Sequence, residues 1–122
     1  MKRLLITTAL IEIGAGLALL GWPAIFVRLL LGAPLEGSAA FVVARIGGAG
    51  LLTLGVAAWL ASYDAMSTAA RGLGRAMILY NLGAALILGV TGLHAAAVGP
   101  ALWFAVGLHV AMTAWCLALA FD

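Results

Sequence analysis

With 122 residues, 66% of them hydrophobic and 8% charged, the chain carries more apolar surface than one small water-soluble core can bury. Its formal net charge of +2 sets six basic residues against four acidic ones, and the basic residues are scattered through apolar sequence, which excludes the clustered basic face of a nucleic-acid binder. A single cysteine, Cys116, excludes an intrachain disulfide framework.

Lipid is therefore the expected solvent. The expected fold class is all-α, an integral membrane four-helix bundle with a short interfacial segment between spans 1 and 2. The chain reads as one transmembrane domain with spans over 4–21, 39–61, 73–93 and 101–121, each near the roughly 20 residues that cross a hydrocarbon core. Lys2 and Arg3 open the first span, but Glu12 in its middle and the lack of a small-x-small site before Pro23 mark a retained helix, not a cleaved signal. The stretch 22–31 is too short to span and carries Arg28. With Trp22 at its start and Pro23 in its first turn it is expected to lie along the surface. Gly32, Pro34 and Gly37 turn the chain back, and Ser38 is the expected N-cap of the second span.

The connection 62–72 is polar, with Asp64, Ser67, Thr68 and Arg71, and Arg75 follows one turn later. The third connection, 94–99, ends at Pro100, which is placed to begin the last helix. Lys2, Arg3, Arg71 and Arg75 fall at one end of the spans and Arg28 at the other. Both termini are thus expected in the cytoplasm, in a bacterial inner membrane.

Polar residues inside a bilayer are costly, about 2.5 to 3.5 kcal/mol for an ionised group at a helix centre, so they mark where structure or function requires them. Glu12, Arg45, Asn81 and His109 give each span one strongly polar residue at similar depth, with Glu12 and Arg45 expected to be within reach of one another. Such a layer either satisfies itself and fixes helix register, or forms a protonation or binding site in which Glu12 titrates and Arg45 is its counter-charge. His109, Met112 and Cys116 share one face of the fourth span and are soft-metal ligand types. His94 and Met77 are the other candidates, but Met and Cys are ordinary core fillers, so no metal and no cofactor is expected. No phosphate loop, dinucleotide fingerprint, zinc spacing or nucleophile–base pair is present, and an enzyme is not expected.

The run Leu10-Ile11-Glu12-Ile13-Gly14 resembles the small multidrug resistance transporters, in which such a glutamate exchanges protons for cationic drugs within a dimer. Arg45, the surface segment and His109 depart from that pattern, and Arg45 would hinder a cation carrier. Arg45-Ile46-Gly47-Gly48, Tyr80-Asn81 and Leu108-His109 together more closely resemble the uncharacterised four-span bacterial membrane proteins grouped with DoxX-like families. That resemblance covers most of the chain and implies a fold but no activity. The function expected first is a non-catalytic accessory or assembly subunit, in a homo-oligomer or a larger membrane complex within the lipid bilayer. The alternatives are a small proton-coupled carrier using Glu12 and, last, a metal- or haem-binding membrane protein.

Overall fold

The computed structural model describes residues 1–120. Its helices are α1 (Lys2–Gly21), α2 (Pro23–Leu31), α3 (Ser38–Ala61), α4 (Thr68–His94) and α5 (Leu102–Ala120), with a 3₁₀ turn, Ser62–Asp64, after α3. Lipid offers no partner to a backbone amide or carbonyl, so each span must satisfy its own as a helix. The four helices other than α2 are long and apolar enough to cross a membrane, and the protein is an all-α, multi-pass membrane bundle.

Several ends differ from the sequence expectation. Helix α4 begins five residues before the expected residue 73, because the Ser67 hydroxyl caps it by accepting from the Ala70 amide at 3.1 Å. Ser38 is the first helical residue of α3, not its cap; Gly37, at φ 79°, takes the cap position, a conformation open to glycine. Pro100 lies in the turn before α5, where the Leu102 amide donates to the Gly99 carbonyl. Pro23 does open α2, and the segment expected at the surface is a nine-residue helix. The expected end of the fourth span, Phe121, lies outside the described residues.

Helix α1 is central. Within its spanning window 33% of residues are buried, against 11% for α3. On one side α1 packs antiparallel against α3 at backbone contact. A Cβ placed on Gly16 would lie 2.5 Å from the Leu52 nitrogen and 2.8 Å from the Gly48 oxygen, and one on Gly55 would lie 2.8 Å from the Ile13 nitrogen. Small residues permit this approach, and in lipid close packing is a main source of helix association. On its other side α1 meets the antiparallel α4–α5 pair through a buried cluster of Leu4, Met77, Met112 and Cys116. Met1 packs over Gly74, which sets the start of α1 beside the start of α4.

Gly16→Leu is expected to destabilise the bundle by about 1 to 3 kcal/mol through forced separation of α1 and α3. Gly14→Leu, at a position with no neighbouring atom within 4 Å, should stay within about 0.5 kcal/mol of the parent. Reversible unfolding in mixed micelles, followed by helical circular dichroism, measures both.

Candidate functional site

Apart from Ser62, whose hydroxyl donates to the Trp59 carbonyl at 2.6 Å, the buried polar side chains gather where α1 faces α4 and α5. Helix α1 supplies Thr8 and Glu12, one turn apart and both buried. Helix α4 supplies the adjacent pair Tyr80 and Asn81. Neighbouring residues on a helix point about 100° apart, which lets Tyr80 reach toward α1 while Asn81 turns to α5. Helix α5 supplies His109 and, one turn on, Thr113.

The Tyr80 hydroxyl donates to Glu12 Oε2 at 3.1 Å. The Asn81 amide nitrogen donates to the Met77 carbonyl at 2.8 Å, which aims its Oδ1 at His109 Nδ1, also at 2.8 Å. A carbonyl oxygen only accepts, so His109 carries a proton on Nδ1 in this arrangement. The Tyr80 and His109 rings meet edge to face, 5.8 Å between centroids and 82° between planes, and thereby join the two hydrogen-bonded pairs. The Thr113 hydroxyl donates to the His109 carbonyl at 2.8 Å. Thr8 is different: its buried Oγ1 has no partner among the described residues, although Thr53, Thr91 and Thr113 all donate to the carbonyl four residues back.

Glu12, Asn81 and His109 are thus brought together, and Arg45 is not. Gly48 lies against Gly16 and Leu20, so Arg45, three residues earlier on the antiparallel α3, lies level with about residue 21. It is roughly nine residues, or ~13 Å along the axis, beyond Glu12. Its side chain is exposed, and the partner Glu12 takes is Tyr80. An arginine one or two turns from a helix end can extend its guanidinium to the interface, which avoids the cost of burial. The expected four-helix polar layer is therefore corrected to a three-helix cluster of Glu12, Tyr80, Asn81, His109 and Thr113, with α3 contributing no side chain to its hydrogen bonds.

Tyr80 belongs to this cluster, although the polar layer expected from the sequence does not include it. The available signal was its depth, about 18 Å into α4, further than a tyrosine at the membrane surface would lie. Met112 and Cys116 sit in the apolar cluster with Leu4 and Met77. His94 is exposed at the far end of α4 with its Nδ1 2.9 Å from the Val90 oxygen. Among the described residues no three His, Cys, Asp or Glu side chains converge. No family model, curated protein or solved structure matches this chain.

The same unfolding measurement tests these placements. Asn81→Leu, which strands His109 Nδ1 in the interior, is expected to cost about 1 to 3 kcal/mol, and Thr8→Val, which removes an orphaned hydroxyl, should be neutral or stabilising by about 1 kcal/mol. Arg45→Gln should change stability by less than about 0.5 kcal/mol. A loss of about 3 kcal/mol or more there would indicate a buried ion pair instead.

Proposed function

We propose that this protein is a non-catalytic accessory or assembly subunit that associates through α3 with another membrane polypeptide or with further copies of itself. The observation that carries this proposal is the uncovered face of α3. Its buried residues, Gly48, Gly55 and Ala58, include the two glycines that touch α1. Ala49, Thr53 and Ala57 recur at four-residue spacing on exposed positions, with Gly50 beside them and no atom within 4 Å of a Cβ built on it. Exposed apolar side chains need no explanation in lipid, but a row of small residues does, because it allows a further helix to approach at backbone distance. The interior points the same way, since the hydrogen bonds of Glu12, Asn81 and His109 are made within the bundle, to Tyr80, to the Met77 carbonyl and between Asn81 and His109.

The location proposed is a bacterial inner membrane with both termini in the cytoplasm. Lys2, Arg3, Arg71 and Arg75 mark the end that holds the N-terminus, against Arg28 and Arg45 toward the other. Association is tested by labelling Ala57→Cys, in a Cys116→Ala background, with a maleimide–benzophenone in native membranes and irradiating, which captures any neighbouring chain whether or not it carries a thiol. A product of higher mass is expected from Ala57→Cys and not from Leu79→Cys, which lies exposed on α4. Monomer alone at both positions overturns the proposal.

A second function, a small proton-coupled carrier, draws on the Glu12–Tyr80 bond at the junction of three helices. On that mechanism Glu12→Gln abolishes pH-driven uptake of a cationic dye into proteoliposomes while leaving the helical spectrum intact. Uptake equal to that of the parent protein, or no uptake by the parent, removes it.

A further inference from the structure

Helix α2 presents two faces. Pro23 is buried and Phe26, Val27 and Leu30 are half-buried against the bundle, while Trp22, Ile25 and Leu29 form an exposed apolar stripe at i, i+3 and i+7. Arg28 is exposed beside that stripe in the last turn. Two crevices flank the stripe and share Ile25 and Leu29 as a common wall. One, of about 410 Å³, opens between α2 and the α4–α5 connection and is lined by Arg28, Gly32, Gly99 and Pro100. The other, of about 330 Å³, runs along α1 and is lined by Ala18, Trp22 and Phe26.

The first crevice is held in shape by backbone. The Gly99 and Ala101 amides donate to the Leu30 and Leu29 carbonyls at 3.1 and 2.9 Å, satisfying two acceptors left over at the end of α2. Gly32 adopts φ 72° and packs on Val98 and Gly99, and a Cβ on Gly99 would collide with the Leu29 carbonyl. A mostly apolar cleft with one guanidinium at its lip, at the end of the bundle where α4 gives way to α5, matches an amphiphile with an anionic head and hydrocarbon tails.

We propose that this site binds a phospholipid of the adjacent leaflet, with Arg28 donating to the phosphodiester and the acyl chains lying along Trp22, Ile25 and Leu29. Charge complementarity decides for a lipid, because a second polypeptide laid on the same stripe would leave Arg28 without an anion unless it supplied one. The proposal is independent of the association through α3.

The test is native mass spectrometry of the whole protein ejected from nanodiscs of equal phosphatidylglycerol and phosphatidylcholine. The parent is expected to retain phosphatidylglycerol over phosphatidylcholine by about fivefold, and Arg28→Gln to retain them equally. Arg71→Gln, at the opposite end of the bundle, should keep the parent preference. Ile25→Trp, which keeps the charge and fills the shared wall, should lose the bound lipid. A preference unchanged in Arg28→Gln overturns the site, as does lipid retained by Ile25→Trp or a second copy carried in place of lipid. Helical circular dichroism of each variant distinguishes loss of the site from loss of the fold.

Discussion

Backbone contact between α1 and α3 sets the axial position of nearly everything else in the bundle. In water two such helices would be driven together by burial of apolar surface, but lipid tails are as apolar as leucine and supply no such force. What remains is packing at short range, and Gly16, Gly48 and Gly55 make it possible by removing the side chains that would hold the backbones apart. The contact also fixes register, because a slide by one turn would drive larger side chains into the glycine positions. With register fixed, Glu12 stands deep in the bundle and Arg45 near its α2 end.

The opposite side of α1 is organised by hydrogen bonds. Tyr80 and Asn81 are adjacent on α4, so a single stretch of that helix engages α1 through Glu12 and α5 through His109. Each bond contributes on the order of 1 kcal/mol, but leaving any one partner unmet in the interior costs more than the bond gains. The cluster therefore discriminates against slipped packings of α4 and α5 more strongly than it stabilises the observed one. The apolar cluster of Leu4, Met77, Met112 and Cys116 lies nearer the chain's N-terminal end and fills the space between the same three helices.

The hydrogen-bonded polar side chains of α1, α4 and α5 face one another, while α2 and α3 turn mainly small or apolar residues outward. Helix α3 turns Ala49, Gly50, Thr53 and Ala57 away from α1, and α2 turns Trp22, Ile25 and Leu29 away from the bundle. The two faces differ in chemistry. The α3 row is built of small residues, with the exposed Arg45 one turn before Ala49, and suits another helix, whereas the α2 stripe adjoins Arg28 and crevices, and suits a charged amphiphile.

Composition and hydropathy determined the class of this protein, because a chain this apolar carries more hydrophobic surface than one small core can bury and its spans must be helices to satisfy their own backbones. Local chemistry also determined that α2 would form from Pro23 as a helix too short to span. The same local reasoning identified Glu12, Asn81 and His109 as interior groups, since each lies far from a helix end. It misplaced Arg45 and passed over Tyr80, because depth along a helix does not reveal which way a side chain faces or where its neighbour stands. Only the tertiary structure decided those, through the α1–α3 register, which carries Arg45 past Glu12, and the rotation of α4, which brings a tyrosine to the carboxylate.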